Sequence, residues 1–169
     1  MIRSFFASSL VLLCFSIFES AVLSNITFLP SLPDLSLLCV LYFSINNGKI
    51  MGETTGFVSG LFLDFLSACP LGLNCLLRTI LGYLTGILKQ TLNTEVFFIP
   101  MILAFAGTVA KVGVTLFISV LFPAIVYSYH VVSFEFFFEL AMNIILAPLI
   151  FKFLGIFKNS LVVKTRVIY

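Results

Sequence analysis

The chain has 169 residues, of which 61% are hydrophobic and only 9% charged, with nine basic and seven acidic side chains and a formal net charge of +2. A soluble domain is about 25% charged, so these charges are too few to coat a water-soluble enzyme, and the small net charge argues against a nucleic-acid binder. A mean hydropathy of +1.22 excludes intrinsic disorder from the opposite side, which leaves an integral membrane protein of a single domain.

A spanning helix needs about 20 mostly apolar residues. The first run, residues 5–24, follows the single basic residue Arg3. Glu19 interrupts the run, and Ala21-Val22-Leu23-Ser24 is a poor cleavage site, so we read an uncleaved anchor rather than a signal peptide. Cys14 follows Leu13 and makes a poor lipid-attachment site. The second run, residues 35–45, is short for a span; Pro30 and Pro33 stop any earlier helix and Asp34 can cap a new one. Asn46 and Asn47 extend this helix, or it sits inside the bundle rather than against lipid.

The third and fourth runs, residues 52–68 and 73–88, are joined by a turn around Pro70 and Gly72, which forces an antiparallel hairpin. The fifth, residues 96–122, must tilt, or Pro100 marks an interfacial first turn. The sixth, residues 131–157, carries Pro148 as an expected kink. Residues 158–169 read as a frayed basic tail beyond a transmembrane domain of residues 1–157. The expected fold class is therefore all-α, a polytopic bundle of six transmembrane helices.

Basic residues favour the cytoplasmic side. With both termini inside, the inner segments hold Arg3, Lys49, Lys89, Lys152, Lys158, Lys164 and Arg166, while the outer loops (25–34, 69–72 and 123–130) hold no Lys or Arg. This asymmetry supports six spans and an N-in, C-in topology.

Five further charges fall within spans: Glu19, Asp64, Arg78, Lys111 and Glu139. Intramembrane charges usually pair or line a cavity. Asp64 and Arg78 lie at equal distances from Leu71, the middle of the hairpin turn, and are expected to form an ion pair. Lys111 and Glu139 are likewise symmetric about Ile125 and form a second expected pair.

The third helix carries Gly52, Gly56 and Gly60 on one stripe, and the fourth answers with Gly82 and Gly86. Such stripes let helix backbones approach closely. Two readings stand at this point: packing within the bundle, or a surface that receives the helix of a partner.

Sequence motifs for catalysis are absent. The four cysteines (14, 39, 69 and 75) have no metal spacing, and Cys69 and Cys75 are read as free thiols rather than a disulfide. There is no Gly-x-Ser-x-Gly, zinc or phosphate-loop motif. Asp34 and Asp64 invite an intramembrane aspartyl protease, but a cation beside Asp64 opposes a shared proton, and the flanking residues are unlike lipoprotein signal peptidase. The sole histidine, His130, falls in an outer loop with Tyr127 and Tyr129, and Asn25-Ile26-Thr27 is a sequon too near the membrane to matter. No enzyme activity, cofactor, metal or nucleic acid is expected.

The order of residues in the middle of the chain carries a resemblance. Gly56-Phe57, Gly60-Leu61 and Asp64 on one helix, the Pro70-Leu71-Gly72 turn, and Gly82-Tyr83-Leu84 with Gly86 on the next resemble the rod shape-determining protein MreD family. The close match covers about a third of the chain, residues 33–89, and Asn46-Asn47-Gly48-Lys49 stands where the family often has Arg-Pro. The resemblance implies a non-enzymatic subunit of the bacterial elongation machinery. It would bind and position the bitopic protein MreC, near the actin homologue MreB and the peptidoglycan synthase pair. The alternative is the substrate-binding subunit of an energy-coupling-factor vitamin transporter, a six-helix bundle of similar size and fold, but the short outer loops are poor in the polar and aromatic groups it would need.

Overall fold

The computed structural model describes residues 2–21, 30–67, 70–90, 97–121 and 134–162. The expectations placed on Asn25–Thr27, Cys69, Tyr127, Tyr129, His130, Lys164 and Arg166 lie outside these residues. The described chain is all-helical: α1 (Ile2–Ala21), α2 (Leu35–Asn47), α3 (Lys49–Leu66), α4 (Leu73–Ile87), α5 (Phe98–Leu121), α6 (Phe134–Ile156) and a single turn, α7 (Lys158–Leu161).

The outer helices turn many small and polar residues inward and many large apolar ones outward, unlike those of a soluble protein. In α1 the inward residues are Ser8, Leu12 and Ser16, while Phe6, Leu10 and Ile17 face out. In α5 Gly107, Thr108 and Thr115 are buried, and Phe98, Ile102, Phe105 and Phe117 are exposed. This is the pattern of a bundle solvated by lipid. By length and composition, α1, α5 and α6 are each able to cross a membrane.

The short second run is explained by its position. Helix α2 touches α1, α3, α4, α5 and α6, and every residue from Leu35 to Ile45 is buried. It is about 20 Å long and meets protein rather than lipid on all sides. Around it, α1 packs on α3, α3 on α4, α4 on α5 and α5 on α6, while α7 touches both α1 and α6. The hydrophobic core gathers Leu37, Leu38, Leu41 and Phe43 of α2 with Leu12, Leu103, Phe151 and Leu154 of its neighbours.

Local chemistry sets the boundaries. Asp34 caps α2, its Oδ1 accepting from Leu37 N–H at 2.9 Å. A single residue, Gly48, separates α2 from α3; its φ of +92° is open to glycine and strained for other residues. Pro100 falls in the first turn of α5, where its missing N–H costs nothing. Pro148 lies inside α6. The start of the basic tail is ordered rather than frayed: Leu161 of α7 is buried, and its carbonyl accepts from Asn47 Nδ2 at 3.2 Å.

Candidate functional site

The glycine stripe settles how α3 meets α4. A Cβ on Gly52 would lie 2.3 Å from the Gly82 carbonyl oxygen, one on Gly56 2.2 Å from that of Arg78, and one on Gly60 2.4 Å from Cys75 Cα. On the opposite helix, a Cβ on Gly82 would lie 2.2 Å from the Gly52 carbonyl oxygen, and one on Gly86 2.5 Å from Lys49 Cα. Backbone therefore rests on backbone along the whole hairpin, and each glycine is used for close approach. The partner-surface reading of Gly52, Gly56, Gly60, Gly82 and Gly86 is corrected accordingly: α4 occupies the stripe, so a helix from another protein has no access to it.

This packing also overturns the Asp64–Arg78 pair. The facing residues are symmetric about roughly residue 67, one helical turn before the loop midpoint at Leu71. Arg78 therefore faces Gly56, and Asp64 faces the turn. The Asp64 carboxylate accepts from the backbone N–H groups of Gly72 (2.8 Å), Asn74 (3.0 Å) and Cys75 (3.2 Å). It satisfies the orphan donors at the start of α4 and opposes the positive end of that helix dipole. The turn bends at Gly72, with a left-handed φ of +94°, and the Pro70 carbonyl accepts from Leu73 N–H at 3.2 Å.

Arg78 turns instead to Asp34, which becomes the centre of a buried charge cluster. Arg78 Nη2 donates to Asp34 Oδ1, and Nη1 donates to Ser59 Oγ at 2.6 Å. Lys111 Nζ lies 2.9 Å from Asp34 Oδ2 and 2.7 Å from Glu139 Oε1, so the Lys111–Glu139 pair forms and extends to a third member. Asp34 N–H donates to Asn143 Oδ1 at 2.9 Å, and Asn143 Nδ2 donates to Thr108 Oγ1 at 3.1 Å. On the other side, Ser36 Oγ donates to Glu19 Oε2 at 2.7 Å.

Each of the six long helices thus supplies a polar group: Glu19 from α1, Asp34 with Ser36 at α2, Ser59 from α3, Arg78 from α4, Lys111 with Thr108 from α5, and Glu139 with Asn143 from α6. The Arg78, Asp34 and Glu139 side chains are about 95% buried, and Lys111 remains 24% exposed. Two cations stand against Asp34 and Glu139, and Glu19, a third carboxylate, is held by Ser36. In a low-dielectric interior such groups are costly alone and strong together. Chemically, the cluster is a joint that fixes α2 to its neighbours, since its members satisfy one another.

Sequence reasoning named Asp34 only as a helix cap and a discounted protease residue. The signal that would have found it was the glycine pattern itself, which sets the α3–α4 register and leaves Arg78 without Asp64. Among the described residues Cys14, Cys39 and Cys75 are free thiols, and no group of three potential metal ligands occurs.

Comparison with curated proteins and with solved structures gives no match. The sequence model for the rod shape-determining protein MreD matches residues 2–157, which takes in all six long helices and every residue of the charge cluster. The extent of that match, with the glycine hairpin and its capped turn at its centre, means that the chain belongs to the rod shape-determining protein MreD family.

Proposed function

We propose that the protein is a non-enzymatic, multi-pass subunit of the bacterial inner membrane that binds and positions MreC within the cell-elongation complex, and so guides lateral peptidoglycan synthesis alongside MreB and the peptidoglycan synthase pair. The observation that carries this reading is the family match over residues 2–157; family membership itself implies a role in rod shape determination. The geometry supports a scaffold: the charges hidden in the bundle are spent on holding helices together. Asp34 is held by two cations and Asp64 by three backbone N–H groups, so the two carboxylates are engaged separately, unlike a protease dyad that shares one proton.

The proposed topology is six spans with both termini cytoplasmic. It is supported by the clustering of Lys49, Lys89 and Lys158 at one end of the bundle. There, Lys49 packs against Gly86, Lys89 against Gly48, and α7 against the end of α2. The charge cluster lies in the other half. The test is co-purification. Tagged full-length protein extracted in mild detergent should recover MreC, and depletion should convert rods to spheres. Recovery of the protein without MreC from cells that contain both would remove the proposal.

A further inference from the structure

A crevice of about 470 Å³ opens where the last turns of α2, the first turn of α5 and the last turns of α6 meet. That volume is within the range of small-molecule sites. Its walls are of two kinds. Phe97, Pro100, Pro148 and Phe151 make an apolar surface, and the Tyr42 ring stacks edge-on against Phe151 at a centroid distance of 5.3 Å. Lys152, Lys158 and Asn46 add two cations and an amide on the same crevice. Both lysines are exposed residues. The crevice belongs to the end of the bundle that also carries Lys49 and Lys89, and among the described residues its walls carry no acidic side chain.

We infer that this crevice is a binding site for an anionic phospholipid, with the headgroup phosphate at Lys152 and Lys158 and the glycerol and upper acyl chain against the proline and phenylalanine wall. Charge complementarity selects the occupant. A basic pocket between membrane helices at the cytoplasmic face matches the headgroup of an anionic lipid. The apolar wall selects lipid over a free phosphate, which would leave that surface unused. The inference rests on the orientation proposed above, because it puts Lys152 and Lys158 in the cytoplasmic leaflet.

The test uses the purified full-length protein in mixed-lipid nanodiscs, with retained lipid read by native mass spectrometry after release. Phosphatidylglycerol and phosphatidylcholine of identical chains are the probes. Each lysine is worth about fivefold in affinity for an anionic headgroup, roughly 25-fold together. The expected result is phosphatidylglycerol preference of that order, lost in the double variant K152Q/K158Q. A second variant, Gly155→Leu, fills the crevice without changing charge. A Cβ there meets nothing within 4 Å, and retention of phosphatidylglycerol should fall.

Equal retention of the two lipids overturns the inference, as does a preference that survives K152Q/K158Q. An unchanged preference in Gly155→Leu also overturns it, by assigning the effect to a charged surface rather than the crevice. Displacement of the lipid by glycerol phosphate at equal concentration would show a soluble-anion site instead. The outcome is separable from the scaffold proposal: MreC recovery and a topology reporter are read independently of lipid retention.

Discussion

Replacing Asp34 with asparagine isolates the charge at the centre of the bundle. Asparagine is nearly isosteric and is itself a good helix cap, so the bond to Leu37 N–H is kept. What is lost is the anion shared by Arg78 and Lys111. Removing one member of a buried pair costs about 3–5 kcal/mol, because the remaining charge is stranded. A domain has about 5–15 kcal/mol of net stability, so Asp34→Asn should lower the melting temperature of detergent-purified protein sharply and reduce its membrane abundance. A double-mutant cycle then identifies the partner. Asp34→Asn combined with Arg78→Met should cost less than the two separate effects together, by about 0.5–3 kcal/mol, the range for groups in contact. Asp64→Asn with Arg78→Met should be additive to within about 0.5 kcal/mol. A larger coupling for Asp64 than for Asp34 would refute the arrangement of charges described above.

Gly56→Leu and Gly60→Leu should each remove the protein from the membrane, since even a Cβ at these positions collides with the α4 backbone; immunoblotting of membrane fractions reads this, and normal abundance with lost MreC recovery would return the stripe to a partner interface. Gly113→Ala, where a Cβ meets open space, should be neutral or stabilising by up to about 1 kcal/mol in a thermal melt. Gly72→Ala should cost about 1–2 kcal/mol through its left-handed backbone alone, although nothing lies within 4 Å of the added carbon. A reporter active only outside the cytoplasm should be silent after Tyr169 and active after Pro70; activity at Tyr169 would mean an odd number of spans.

Much of the bundle was legible in the sequence because lipid exposure leaves a simple trace: long apolar runs broken by Pro, Gly and charge. The ends of α5 and the turn at Pro70 and Gly72 follow directly from such residues. Helix α2 was ambiguous for a physical reason. A helix enclosed by five others needs no lipid-matching length, so its short run, residues 35–45, fits no span rule. The pairing of Lys111 with Glu139 could be read from loop symmetry, whereas that of Arg78 could not. In the α3–α4 hairpin the glycines set the register, and the turn absorbs the offset by placing Asp64 over the start of α4. Asp34 escaped because its partners are distant: Arg78 is 44 residues away, Lys111 77 and Asn143 109.

Those separations have a consequence for biogenesis. The central helix is translated second and secured last. At about 5–20 residues per second, roughly 5–20 s pass between the synthesis of Asp34 and that of Asn143, 109 residues later. For most of that interval the cap of α2 lacks the Lys111 ammonium, and for all of it the α6 amide. A stop codon or frameshift within α6 therefore acts on the start of α2, and a chain truncated late should be cleared by membrane proteases as completely as one truncated early.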